Sequence, residues 1–500
     1  MLIGSRITSH VNRLSPIDTD GKIRWWSLWT LYGISNFFFL ATWNARYWDG
    51  WFLFQDVETL HQFELSCPID RCKVPFAFTL MQPLFRVGDW TVKLLVIISF
   101  AFSGWLFKQI LTFTRSLSDF QVSAMTIVFV LLPINGARVS LSTAPANLLL
   151  PVFLGGTLAL TRKTSFVVAI GWLLVTISAF QPSYQVFSIA AVFPLLAHDL
   201  SKRKVPALRT WIVMAFLLSV APLHRYLLDD LVVKLGLLGE AGVVKGTWIP
   251  GENGIYNSIR SEFLARATLI CGVLALPLLV SGLAHLRHRR SIRDWRPNLI
   301  QVGLVLVSLG TFPYMAVGHF ANLTDWIVAW LPDTSDWDSR HQLLQGPGFA
   351  LVVCGLLGLI TPQRRHYVLG LFVVSFLVLN VSTFSNYHVD GLKQRDIIED
   401  LRLRSAEFRG IRVIQFDDRA LDLNARGRTV RSYEWKGIAE LALGRAVVIP
   451  ERLPAVDGCR GKVIGKLVTV RKVSGRLKAT VTRSRVATID ISDLVICATP

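Results

Sequence analysis

Apolar runs long enough to cross a bilayer recur along this chain, and they constrain its fold more than any other feature. A helix needs about 17 to 25 such residues to span the hydrocarbon. Runs of that kind lie near 25–43, 90–111, 120–134, 145–160, 166–181, 183–200, 210–227, 263–284, 299–318, 342–360 and 367–385. In lipid, only helices and closed barrels keep their backbone polar groups satisfied. The expectation is an α-helical polytopic membrane protein with about eleven transmembrane helices. Composition agrees, since 52% of the residues are hydrophobic and 17% charged, whereas soluble chains carry about a quarter charged residues. A formal charge of +19 would suit a nucleic-acid binder, but Lys and Arg fall in short clusters between apolar runs and in the last 115 residues. That pattern follows membrane topology, and no nucleic acid is expected as a partner.

The N-terminal segment 1–24 holds Arg6, Arg13, Lys22 and Arg24 ahead of the first run at Trp25. A cleavable signal would place its apolar stretch nearer the start, so the first helix is expected to be retained, with residues 1–24 cytoplasmic. Cytoplasmic connections are enriched in Lys and Arg. With this orientation the inner connections are 112–119, 161–165, 201–209, 285–298 and 361–366, all short and net positive or balanced. The outer connections are 44–89, 135–144, 228–262 and 319–341, mostly longer and carrying much of the acid. Cys67 and Cys72 share the first outer loop, and Cys459 and Cys497 share the C-terminal segment. Both pairs fall on the oxidising side, and spacing alone leaves bridged and free thiols open.

After Ser385 the apolar runs stop. The transmembrane domain is therefore read as 25–385, and 386–500 as a small extracytoplasmic α+β domain. Helical spacing marks 396–408 and 431–444, the second ending at a glycine. Clustered or alternating β-branched residues mark 411–416, 445–450, 465–473 and 479–491 as strands. With 22 basic and 14 acidic residues the domain carries a net +8, which suits anionic head groups, an anionic glycan, or simply water.

The chain has no GxxxxGK[ST] loop, no GxGxxG after a strand, no HExxH, no paired CxxC and no GxSxG. These absences argue against an ATP-driven pump and a zinc protease, and nothing visible calls for a cofactor or metal. The spans are poor in ionisable groups, with Lys93 near enough to an outer end to snorkel and His198 and Asp199 at an inner end. Polar residues gather instead at the outer mouth, in four stretches.

The first is "WNARYWDGWFLFQD" (43–56), which sets Asp49 and Asp56 among aromatic residues. On a helix, acids seven residues apart share a face about 10 Å apart, wider than the roughly 5 to 9.5 Å of paired glycosidase carboxylates. One general base with a helper fits that spacing better than a shared-proton dyad. The plainer alternative is a pair of interfacial acids beside a belt of Trp43, Tyr47, Trp48 and Trp51 at head-group depth. The second stretch, "NGARVSLSTAPAN" (135–147), offers Asn135 and Arg138 in a re-entrant loop, or a turn with a snorkelling Arg. The third, "FQPSYQVF" (180–187), offers Gln181, Tyr184 and Gln185 to a sugar, or is a tight turn at Pro182. The fourth, 319–348, brings Arg340 and His341 to the start of the run at 342. A helix N-terminus and a guanidinium fork there favour a phosphate, and an interfacial anchor is the alternative.

With acid after the first span, "SYQ" at an outer turn and "SRH" entering a late span, the chain resembles polytopic membrane glycosyltransferases of the GT-C type, including O-antigen glucosyltransferase-like proteins. The likeness covers nearly the whole chain in architecture, although "DGW" lacks the adjacent acidic pair many such proteins carry. The resemblance implies transfer of a sugar from a polyprenyl-phosphate-linked donor to a glycan, lipid or protein acceptor, on the outer face of a bacterial plasma membrane. It implies an inverting reaction with Asp49 or Asp56 as general base, Asp49 favoured as nearer the membrane. It implies that Arg340, with Arg138, stabilises the leaving phosphate. A transporter or flippase of a lipid-linked or amphipathic substrate is the main rival, and an assembly protein whose outer domain binds a partner is the third reading.

Overall fold

The computed structural model describes residues 15–42, 45–47, 51, 83–84, 87–115, 117–139, 144–179, 181, 184, 187–201, 207–223, 296–316, 342–450, 462–473 and 485–497. In chain order the helices are α1 (Trp25–Ala41), α2 (Asp89–Phe113), α3 (Asp119–Leu131), α4 (Asn135–Val139), α5 (Ala144–Leu160), α6 (Ser165–Ser178), α7 (Phe193–Ser201), α8 (Leu208–Leu223), α9 (Arg296–Ala316), α10 (Gly346–Leu359), α11 (Pro362–Leu403) and α12 (Ser432–Leu443). The strands are β1 (Ile414–Asp418), β2 (Lys462–Lys472) and β3 (Ala487–Cys497). The chain is thus mostly helical with a small C-terminal sheet.

All but one of the expected apolar runs carry helix, the run at 263–284 lying outside the described residues. Among the described residues, three helices are long and apolar enough to cross a membrane: Asp89–Phe113, Gln342–Leu359 and Pro362–Leu403. The others are shorter, for reasons visible in the sequence. Ser118 and Gln121 form a capping box that starts α3, and Pro133, with no N–H to donate, follows its end. Its 13 residues span about 20 Å. The run at 183–200 is divided into a 3-10 turn, Ser188–Val192, and α7, because Pro194 cannot supply the N–H that a continuous helix needs.

The outward faces are apolar. On α2 the exposed large hydrophobic side chains are Trp90, Leu94, Ile98, Phe102 and Trp105, and on the first half of α11 they are Tyr367, Leu371, Val374 and Val378. Spaced by three or four residues, these form continuous stripes. Water would make such stripes an aggregation surface, and hydrocarbon would not. Inside, α9 and α10 pack with little between them: a Cβ on Gly303 would lie 2.7 Å from the Gly348 carbonyl oxygen, and one on Gly310 would lie 2.8 Å from the Leu344 carbonyl carbon. Small residues at helix crossings give helices in lipid their close van der Waals packing.

One end of the bundle is rich in basic residues among the described ones. There Ser123 Oγ donates to the Gly21 carbonyl at 2.7 Å, the rings of Phe120 and His366 lie 4.8 Å apart, and Arg209 donates to the Leu160 carbonyl at 2.7 Å. Lys22, Arg24, Arg115, Arg162, Lys163, Arg364 and Arg365 sit in the chain around these contacts. At the other end α1 stops, α2 starts and α11 leaves the bundle.

The border drawn after Ser385 is crossed by one unbroken helix. The 42 residues of α11 extend about 63 Å, apolar first and then running into the C-terminal domain, where Ile397 and Leu401 are fully buried. There β1 pairs parallel with β2 and β2 antiparallel with β3. Phe416 of β1 stacks on Trp435 of α12, centroids 4.5 Å apart. Helix α12 ends at Gly444 in the left-handed conformation, φ 67, which only glycine adopts freely. The strand expected at 445–450 reduces to one bridge, between Val413 and Val448.

Two outcomes are expected. Gly348→Leu should lower the thermal stability of the detergent-solubilised protein by about 1 to 3 kcal/mol through overpacking against α9, measured as a shift in unfolding temperature. In a cysteine-free background, single cysteines at Val87 and Arg419 should react with a membrane-impermeant maleimide from the same side of sealed vesicles.

Candidate functional site

Where the bundle meets the C-terminal domain, the residues that follow α1 are held from three directions. Lys93, fully buried on α2, donates to the carbonyl of Thr42 and, at 2.9 Å, to that of Ala45. It is therefore a cap on the end of α1 and does not snorkel: its ammonium lies beside the rings of Phe39 and Tyr47. Arg46 makes an ion pair with Asp89 at 2.9 Å and lies over the Trp51 ring, 5.2 Å from its centroid. Burial lowers the Arg46 guanidinium below its ordinary pKa, with Asp89 opposing the shift.

Tyr47 and Trp51 do not form a lipid-facing belt. Tyr47 is fully buried, donating its hydroxyl to the Tyr387 carbonyl. Gly391 makes room for this, since a Cβ there would lie 2.7 Å from Ala45 Cβ and 3.1 Å from the Tyr47 hydroxyl. Trp51 is buried in the core of the C-terminal domain with Ile397, Phe416, Trp435 and Ile438. A Cβ on Gly437 would come within 2.5 Å of its ring. The residues that bracket Asp49 are thus both seated at this junction.

Below them lies a buried ionic network. Arg428 donates to Asp390 at 2.8 Å and to both oxygens of Glu434 at 2.8 and 2.9 Å, and its guanidinium lies 5.7 Å from the Tyr47 ring centroid. Burial alone would lower the Arg428 pKa, and the charges of Asp390 and Glu434 overcome it and push it above its ordinary value. Asp390 also accepts from Gln394 Nε2 at 3.0 Å and from the backbone N–H of Ala425 at 3.0 Å. Lys393 joins Asp418 at 2.6 Å, Asn424 at 2.6 Å and the Ala420 carbonyl at 3.0 Å. Farther along α11, Asp396 accepts from the N–H of Val486 at 2.6 Å. These groups fasten α11 to the domain. The sequence carries their signal in "DGLKQRDIIEDL" (390–401): Asp390, Lys393, Gln394, Ile397, Asp400 and Leu401 repeat at helical spacing, a face of which the helix expected at 396–408 takes in only the second half.

Of the expected site residues, Asp49, Asp56, Gln185, Arg340 and His341 lie outside the described residues. So do Cys67, Cys72 and Cys459. Arg138 is described, and it is not at the outer mouth. It is fully buried, its guanidinium 4.4 Å from the centroid of Phe100, near the middle of α2. One amino group donates to the Leu132 carbonyl at 2.7 Å, and another reaches Asn36 Oδ1 at 3.4 Å. Arg138 therefore caps the interior end of α3 and leaves its Nε without a hydrogen-bond partner among the described residues. On the preceding turn, Asn135 is buried, and neither of its side-chain polar atoms has a hydrogen-bond partner among the described residues. Tyr184 is also fully buried, and its hydroxyl donates to the Ala146 carbonyl at 2.7 Å, which fixes it against α5.

Among the described residues no group of three or more His, Cys, Asp or Glu side chains is arranged to hold a metal. Neither a protein-family model nor a curated protein matches this chain by sequence. Arg428→Met should leave Asp390 and Glu434 buried without their cation, costing about 3 to 5 kcal/mol. Replacing all three by apolar residues of matched volume should recover most of that loss, read by chemical unfolding of the intact protein in detergent.

Proposed function

We propose that this protein is a multi-pass membrane glycosyltransferase of the GT-C type, acting on the extracytoplasmic face of a bacterial plasma membrane. In this reading a polyprenyl-phosphate-linked sugar is the donor and a glycan, lipid or protein is the acceptor. Asp49 or Asp56 removes the proton from an acceptor hydroxyl as it attacks the anomeric carbon, and Arg340 and His341 meet the lipid phosphate that leaves. Gln185 faces the sugar. Arg138 and Tyr184 act from behind, holding helix ends in place.

One observation carries the reading: the residues bracketing Asp49 are buried at the junction of bundle and domain, Tyr47 against α11 and Trp51 in the domain core. A general base works only if it is held within hydrogen-bond reach of its proton, and the burial of Tyr47 and Trp51 on either side of it in sequence supports that role. The apolar stripes on α2 and α11 support insertion in a bilayer. The basic end of the bundle, opposite the C-terminal domain, supports an extracytoplasmic domain under the positive-inside rule.

The transporter or flippase reading draws on a different observation. Between α3 and α4 the helix is broken deep in the bundle, beside the buried Arg138 and Asn135, and broken helices line substrate sites in many transporters. The two readings part on the acidic segment. Asp49→Asn or Asp56→Asn should reduce glycan transfer by about 100-fold or more, with normal protein levels, when donor and acceptor are supplied on the same side of reconstituted vesicles. Full transfer by both variants sinks the glycosyltransferase reading.

A further inference from the structure

We propose that the loop at 420–428 docks on the bilayer surface, with Arg426 binding the phosphate of an anionic phospholipid head group and Leu421 entering the interface beside it. The proposal rests on the chain being embedded in a membrane and on no catalytic assignment.

The depth of the loop is set by α11. Its exposed residues are apolar from Tyr367 to Val378 apart from Gly370 and Ser375, and then polar at Ser382 and Asn386. From Tyr367 to Phe384 the helix rises about 26 Å, close to the thickness of a hydrocarbon core. Arg364 and Arg365 flank the other end. The polar turn at Ser382 therefore marks head-group depth, and Arg426 donates to Thr383 Oγ1 at 3.1 Å at this level.

The loop's own conformation points the same way. Arg426 has φ 54, a left-handed conformation that costs a non-glycine residue about 1 kcal/mol or more. Gly427 beside it also has positive φ. Packing does not require the arginine, since its side chain is exposed and bonded only to Thr383 among the described residues. Among the described residues no carboxylate pairs with it, so its charge is left to solvent or to a ligand, whereas Arg428 is held by Asp390 and Glu434. The remaining donors of its fork match phosphate oxygens. Leu421 in the same loop is 49% exposed, and an exposed Leu near a cation is the make-up of an interfacial anchor.

The test uses the full-length protein in nanodiscs of equimolar phosphatidylcholine and phosphatidylglycerol, with retained lipids counted by native mass spectrometry after partial delipidation. Wild type should keep phosphatidylglycerol over phosphatidylcholine, and Arg426→Gly should cut that preference about fivefold, the loss of one interfacial cation. Glycine relieves the left-handed strain, so the unfolding temperature of Arg426→Gly should be unchanged or higher. Arg426→Asn, which also tolerates this conformation, should show the same lipid loss, and Leu421→Ser a smaller one. Excess inorganic phosphate should not displace the lipid; displacement would mean a site for free phosphate and would overturn the proposal. An unchanged lipid preference in both Arg426 variants would also overturn it. Recovery of wild type as a soluble, lipid-free monomer without detergent would instead overturn the membrane reading on which it rests.

Discussion

Inside an apolar bundle, a helix that stops must give its last carbonyls a donor, because no water is there to do so. Much of the polar chemistry in this protein answers that need. Arg138 serves Leu132 and Asn380 serves Leu131 at the end of α3. Lys93 serves Thr42 and Ala45 beyond α1, and Asn147 serves Ala137 near the end of α4. A cation at a helix C-terminus is favoured by the helix dipole as well as by the hydrogen bond. These side chains let short helices end at chosen depths without stranding buried oxygens, and the break between α3 and α4 depends on them.

The same economy explains why the bundle and the C-terminal domain are continuous. Had α11 ended at Ser385, four more carbonyls would need partners at the interface. Because it continues, the backbone stays satisfied, and its side chains change character along its length from a lipid-compatible stripe to buried charges that grip the domain. Rigid continuity also transmits position: the segment after α1 is placed by the same helix that places the sheet.

The apolar runs were legible in the sequence because length and composition alone announce them, and helices occupy every run that falls within the described residues. The helix at 432–443 and the strands near 414, 465 and 487 were legible from periodicity and from Gly444. Arg138 was misplaced because a lone Arg between two short runs reads as a loop residue, and only tertiary packing shows that α3 stops deep in the bundle. Lys93 looked like a snorkelling residue because its distance from the helix end says nothing of the carbonyls that α1 leaves beside it. Tyr47 and Trp51 looked like an interfacial belt because the partner that buries them, around Gly391 and Gly437, lies hundreds of residues away. No local pattern encodes such a contact.

That separation has a consequence for how the molecule is made. Trp51 leaves the ribosome before Gly437, over which its ring packs and which lies 386 residues later. At about 5 to 20 residues per second, roughly 20 to 80 seconds pass before that partner exists. Through this interval the segment after α1 has no C-terminal domain to receive it, and the assembled bundle has no grip on Trp51. Folding of the C-terminal domain is therefore also the step that seats Trp51, a residue made well before it, so a fault confined to that domain is felt at the end of α1.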